Sequence, residues 1–157
     1  VTVLVPTAER MRDLAAGLAR ACRAGDLIIL SGDLGAGKTT FVQGLGRGLG
    51  VTEPVTSPTF VIARVHEAAR RIDLVHVDAY RLGSALDLDD LDLDATLADC
   101  VTVVEWGEGK VEHLSPDRLD VRIDRSDDAD DEMRRVRFTG HGARWPAQAL
   151  ADMESGW

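Results

Sequence analysis

The 157-residue chain carries 27 acidic against 18 basic side chains, a formal net charge of −9, with 45% hydrophobic and 29% charged residues. That make-up suits one globular domain spanning 1–157 with a full core. It excludes a membrane span, since no apolar run approaches ~20 residues, and it argues against strong nucleic-acid binding by the chain alone, because phosphate contacts need clustered Lys and Arg. The N-terminus lacks a basic region followed by an apolar signal core, so a cytoplasmic protein is expected. Cys22 and Cys100 are far apart and form no C-x-x-C, which reads as two reduced packing residues.

Taken in order, Val1 to Val5 suits an edge strand and Thr7 is placed to cap a helix over Ala8 to Arg23. Met11, Leu14, Ala15, Leu18 and Cys22 recur there at helical spacing. Asp26 to Ser31 is an apolar strand, and Gly32 to Thr39 reads G-x-x-x-x-G-K-T, a complete phosphate-binding loop. The helix that follows has an apolar face of Phe41, Val42, Leu45 and Leu49. It also holds Gly44, Gly46 and Gly48, each costing about 1 kcal/mol against Ala, and Gly50 is a plausible stop.

Val55 to Phe60 is turn-like. Val61 to His66 and Ile72 to Asp78 are strands whose short connection predicts an antiparallel hairpin. Leu86 to Asp99 is acidic and leucine-rich, one or two short helices. Val101 to Val104 is a buried strand ending at Glu105. Leu119 to Ile123 and Arg134 to Thr139 form a final hairpin joined by a polar connection, and the tail beyond about residue 145 is a short helix or disordered. The fold class expected is α/β: a three-layer P-loop NTPase domain with a mixed sheet, parallel in the core with antiparallel edge hairpins.

Strand, glycine loop and helix together supply phosphate chemistry. Curled backbone N–H groups and the helix dipole face phosphate oxygens, Lys38 bridges the β- and γ-phosphates, and the Thr39 hydroxyl can ligate Mg²⁺. Asp78 and Glu105 each end a strand, and either would serve as the acidic residue that holds the metal directly or through water. Ser57-Pro58-Thr59 stands where related NTPases carry a γ-phosphate sensor, and a structural turn is the equal alternative. Arg81 either stabilises phosphate charge or pairs with a surface carboxylate. His76 shares a sheet face with Asp78 and by itself reads as a packed histidine. Trp106 follows Glu105 and, on an extended backbone, alternates to the opposite side. The run Asp87, Asp89, Asp90, Asp92 and Asp94 lacks the glycine turn and terminal Glu of an EF-hand and is interleaved with leucines, so it reads as a solvated face over packed Leu side chains. The chain contains no asparagine, so the N-K-x-D guanine motif is absent and adenine is favoured by exclusion.

Gly32 to Phe41, Ser57-Pro58-Thr59-Phe60, His76 to Leu82 and Val104-Glu105-Trp106-Gly107-Glu108, in this order, resemble the TsaE (YjeE) family over about Thr7 to Phe138. The resemblance implies a small bacterial ATPase required for threonylcarbamoyladenosine formation in tRNA. It works with the partners TsaB and TsaD, is not the transferase, and hydrolyses ATP to reset the assembly between cycles. Carried onto this chain, Gly35, Ala36, Gly37, Lys38, Thr39 and Thr40 bind the phosphates. Thr39 and Glu105 ligate Mg²⁺, and Asp78 lies near the γ-phosphate and the attacking water. The adenine side falls at Thr7 and Ala8 and around Arg134, while Trp106, Thr59 and Arg81 are assigned to coupling with partner or tRNA. Two departures, Leu91-Asp92-Leu93 where many members have a glycine and Gly107 where proline is frequent, bear on helix geometry and partner contacts. The competing readings are a small P-loop nucleoside or metabolite kinase, which the absence of basic residues from Leu82 to Asp99 argues against, and a nucleotide-dependent binding module that seldom hydrolyses.

Overall fold

The structure, a computed structural model, describes residues 1–56, 63–69, 72–80, 93–128 and 131–154. Seven strands form one sheet: β1 (Thr2–Val5), β2 (Leu27–Ser31), β3 (Ala63–His66), β4 (Leu74–Asp78), β5 (Val101–Glu105), β6 (Arg118–Arg125) and β7 (Arg134–His141). Their spatial order is β1-β7-β6-β2-β5-β4-β3. The centre, β6-β2-β5-β4, is parallel, and the expected hairpins lie at both edges as antiparallel β3–β4 and β6–β7, with β1 added outside β7. Burial explains which strands went where. β2 and β5 are apolar runs buried on both faces, as parallel central strands require. β6 alternates buried and open positions, because one of its faces meets water.

The thick layer is α1 (Ala8–Ala21) and α2 (Lys38–Leu49), joined at the far end by α4 (Ala147–Glu154), the tail helix. Met11, Leu14, Leu18, Phe41 and Leu45 pack there on Ile28, Leu30, Val103, Val121 and Phe138. Among the described residues, the other face is covered by α3 (Leu93–Leu97) and a 3₁₀ turn (Glu112–Leu114) over Ile29, Val75, Val77 and Val104. α1 has the cap read from sequence: the Thr7 hydroxyl accepts from the Arg10 N–H at 3.2 Å. The glycines of α2 find their reason at the α1 contact. A side chain at Gly44 would fall on the Arg12 backbone, and one at Gly48 on Ala16 and Ala19, so two of the three glycines let the helix backbones touch. Arg47 ties the same pair at the surface, 2.9 Å from Glu9 and 2.7 Å from Asp13. Cys22 and Cys100 are buried thiols, as expected. The Ser57-Pro58-Thr59 segment, Val61 and Ile62, Arg81, and the acidic run up to Asp92 lie outside the described residues, as do the side-chain surroundings of Asp94. Among the described residues no helix is long and apolar enough to cross a membrane.

Candidate functional site

β2, β5 and β4 run parallel, so their carboxyl ends meet at one edge, with Leu30 beside Glu105 and Glu105 beside Asp78 in register. The loop from Gly32 leaves β2 at that edge and enters α2, whose N-cap is Gly37 at φ 111°. An L-residue seldom adopts that conformation, so the glycine is a backbone requirement. The two helix starts differ chemically. α1 has a capping Thr7 and Glu9 in its first turn. α2 has neither a side-chain cap nor an acidic residue in its first turn. Its leading N–H groups and positive dipole end are therefore left for an external anion.

A cavity of about 510 Å³ opens here, lined by Leu34, Gly35, Gly37, Lys38, Thr39, Thr40, Asp78, Tyr80, Glu105 and Trp106. Lys38 is 7% exposed. Its Nζ donates to the Gly32 carbonyl at 2.6 Å and the Asp33 carbonyl at 3.0 Å. Burial pushes its ammonium below the ordinary lysine range, while the carboxylates of Glu105, Asp78 and Asp33 pull the other way. Glu105 is 3% exposed and its Oε1 has no hydrogen-bond partner among the described residues. Asp78 accepts from the Tyr80 N–H at 2.9 Å, which turns the chain as β4 ends. The Ala79 N–H donates to the Glu105 carbonyl at 2.9 Å, and the Lys110 ammonium to the Ala79 carbonyl at 2.7 Å, fixing that turn from below.

Trp106 departs from the sequence expectation. The alternation argument put it on the opposite side from Glu105, but the extended backbone ends at Glu105 and Trp106 has φ 59°. That left-handed turn swings its ring back over the loop, 4.4 Å from Lys38 Nζ and 5.2 Å from the Tyr80 ring. Strand periodicity cannot be extended past a strand's last residue, and nothing in the tripeptide Glu105-Trp106-Gly107 signals a positive φ at a tryptophan.

A second cavity, about 190 Å³, shares Gly35, Gly37 and Thr40 with the first and is lined by Thr7, Ala8, Met11, Ala36, Glu132 and Arg134. Arg134, far away in sequence, thus joins Thr7 and Ala8 beside the loop, its Nε donating to the Ala36 carbonyl at 3.2 Å. Thr59 and Arg81 lie outside the described residues. The sequence reading gave no site role to Leu34, Met11, Lys110 or Glu132. Leu34, 87% exposed at the loop tip, is an apolar residue where polar ones are usual, and that was a usable signal. Met11 and Glu132 carried none, since only the fold brings α1 and the β6–β7 connection to the loop.

The family model for threonylcarbamoyl adenosine biosynthesis protein TsaE matches residues 5–136. The chain is 62% identical over 146 residues to the tRNA threonylcarbamoyladenosine biosynthesis protein TsaE of Streptomyces coelicolor, covering 91% of this chain and 97% of that one. It is 38% identical over 138 residues to the protein of the same name from Bacillus subtilis, covering 87% and 84%. The crystal structure of Bacillus subtilis YdiB superposes with a TM-score of 0.80 at 30% identity, over 99% of this chain and 95% of that one. With the phosphate-loop edge, the parallel core and these likenesses in agreement, the chain belongs to the TsaE family.

Proposed function

We propose that this protein binds and hydrolyses MgATP as the nucleotide-driven subunit of threonylcarbamoyladenosine formation in tRNA, acting with TsaB and TsaD partners and not as the transferase. The observation that carries the reading is the uncapped start of α2 facing a cavity that also holds Lys38, Asp78 and Glu105. In this proposal the α2 N–H groups and the backbone of Gly35 to Thr40 hold phosphate oxygens, and Lys38 gives up its loop carbonyls to meet the β- and γ-phosphates. Asp78, at the cavity wall, orients the attacking water. Thr7, Ala8 and Arg134 form the adenine side.

The donor set fits Mg²⁺: a buried carboxylate oxygen of Glu105, with no hydrogen-bond partner among the described residues, and the Thr39 hydroxyl are both hard oxygen ligands. Bound there, the ion would neutralise charge developing on the phosphates. ATP is preferred over GTP because the chain has no asparagine for an N-K-x-D motif. With a net charge of −9, contact with tRNA falls mainly to the partner complex, and the setting is cytoplasmic. The test is reconstitution with TsaB and TsaD, reading ATP turnover and tRNA modification together. Slow turnover alone, faster turnover in the complex, and modification lost on omitting this chain are expected. Rapid phosphorylation of a small metabolite by the purified chain would overturn the reading in favour of a kinase.

A further inference from the structure

Behind the nucleotide edge two buried histidines, which the reaction as described does not use, extend from Glu105. His76, in the middle of β4, and His66, on the neighbouring β3, are both 0% exposed. His76 Nε2 lies 3.5 Å from Glu105 Oε2, and the two imidazole rings are 6.5 Å apart. His66 Nδ1 lies 2.6 Å from Oε1 of Glu53, in the segment after α2. The register explains the grouping. His66 sits opposite Leu74 and Asp78 opposite Glu105, so His66, Leu74, His76, Asp78 and Glu105 share the face under α2. Their neighbours on that face, Leu74, Val101 and Val103, are apolar and buried.

Four polar atoms in this array have no hydrogen-bond partner among the described residues: His66 Nε2, both nitrogens of His76, and Glu105 Oε1. Buried polar atoms without partners are costly, and a leucine at position 76 would fill the same apolar setting without that cost. A histidine there calls for a reason. The carboxylate proposed to face the metal lies 3.5 Å from its Nε2, and a carboxylate ligand is commonly held by a hydrogen bond to one oxygen while the other meets the ion.

The geometry points to His76 as a positioning residue for Glu105: its Nε2 faces Oε2 across 3.5 Å and, closing to a hydrogen bond when the cation binds, holds the carboxylate so that Oε1 is presented to the ion, with His66, anchored by Glu53, backing the His76 ring. This rests on the reading of Glu105 as a metal ligand. His76 touches neither nucleotide nor metal; it acts through Glu105.

The test reads metal dependence and not turnover. ATP affinity is measured by titration calorimetry across Mg²⁺ concentrations and in EDTA, for the native chain and for His76→Leu, His76→Gln, His76→Asn and Glu105→Gln. His76→Leu is expected to raise the Mg²⁺ concentration for half-maximal effect by roughly tenfold or more, the usual loss when a ligand's outer partner is removed. ATP affinity in EDTA should be unchanged. His76→Gln, whose amide N–H reaches about as far as Nε2, should recover most of the loss, and His76→Asn, which reaches only as far as Nδ1, should not. This polar pair keeps the test decisive if the leucine variant fails to fold. Native Mg²⁺ dependence in His76→Leu, or equal behaviour of the Gln and Asn variants, would overturn the role of His76. An equal loss of affinity with and without Mg²⁺ would also overturn it, marking a structural residue. If Glu105→Gln leaves the Mg²⁺ dependence unchanged, the metal reading itself fails and takes this proposal with it.

Discussion

Gly44→Ala is the sharpest check on how α1 and α2 hold the loop. Helix propensity alone says that the substitution should stabilise the chain by about 1 kcal/mol. The structure reverses the sign. A Cβ at Gly44 would lie 2.6 Å from Arg12 Cα and 2.8 Å from its carbonyl carbon, besides striking the Arg12 carbonyl oxygen. These are backbone atoms and cannot rotate away. Ordinary contact begins at 3.4 Å, so the helices must part by at least roughly 0.8 Å to clear the Arg12 Cα alone (3.4 − 2.6). A gap of that size forfeits about a quarter to a half of each dispersion contact along the seam. Overpacking of this kind costs about 1–3 kcal/mol, and subtracting the propensity gain leaves a net loss of up to about 2. For a domain of this size that is a fall of up to about 8 °C in Tm. Because Thr7, Ala8 and Met11 on the same α1 turns line the smaller cavity, ATP affinity should fall too. Gly46→Ala is the control: its nearest neighbours are side-chain atoms of Val55, Val51 and Leu74, the first at 3.2 Å, with no α1 backbone among them. The assay is thermal melting with calorimetric ATP titration. A Gly44→Ala variant as stable as the native chain, with unchanged ATP affinity, would refute the close-approach reasoning.

Lys38→Ala should abolish tight MgATP binding in calorimetry while keeping the native circular dichroism, since among the described residues its Nζ donates hydrogen bonds to carbonyls of its own loop and lies against the Trp106 ring, not in the apolar core. Burial holds the Lys38 ammonium below its ordinary 10.5, so the unfolded chain binds that proton more tightly, and this group's contribution to stability rises with pH between the depressed value and 10.5. Lys38→Met removes the effect, so its stability relative to the native chain should be greatest at lower pH and shrink as pH approaches 10.5, read from urea midpoints. Glu105→Gln should lose hydrolysis, with nucleotide binding weakened less than in Lys38→Ala, because the phosphate cradle remains. Trp106→Gly should be at least as stable as Trp106→Ala in urea melts, against the usual order: at φ 59° glycine escapes a left-handed penalty of about 1–2 kcal/mol that alanine keeps.

The parts of the site that were legible in sequence are those carried by local pattern. Gly32 to Thr39 has a fixed spacing, and Asp78 and Glu105 each end an apolar run, so loop and carboxylates could be placed at strand ends before any fold was known. The β3–β4 hairpin was legible from its short connection and the β6–β7 hairpin from two strand-like runs joined by a polar connection. What failed to show is non-local. Gly44 and Gly48 read as weak points in a helix until the α1 backbone is set against them. His76 read as a packed histidine because its relation to Glu105 depends on strands 4 and 5 being neighbours, a pairing that periodicity does not specify. Trp106 was misplaced by carrying a two-residue period one residue beyond the strand.

Charge balance at the edge constrains what the proposed reaction needs. In the free protein Lys38 is the cation that answers Glu105, Asp78 and Asp33, and two loop carbonyls and the Trp106 ring occupy its coordination sphere. A nucleoside triphosphate would bring about four more negative charges into that setting, against, among the described residues lining the larger cavity, one ammonium and a helix end worth roughly half a charge. The carboxylates that make the site able to hold a divalent ion therefore make it poor at holding free ATP. Nucleotide and Mg²⁺ should bind as a coupled pair, each weak without the other, and removing Glu105's charge should relieve part of the penalty on metal-free ATP. Calorimetry in EDTA decides this: ATP binding to Glu105→Gln should be at least as tight as to the native chain. Weaker metal-free binding by the variant would show that Glu105 does not repel the phosphates, and the carboxylate would lose its place opposite them.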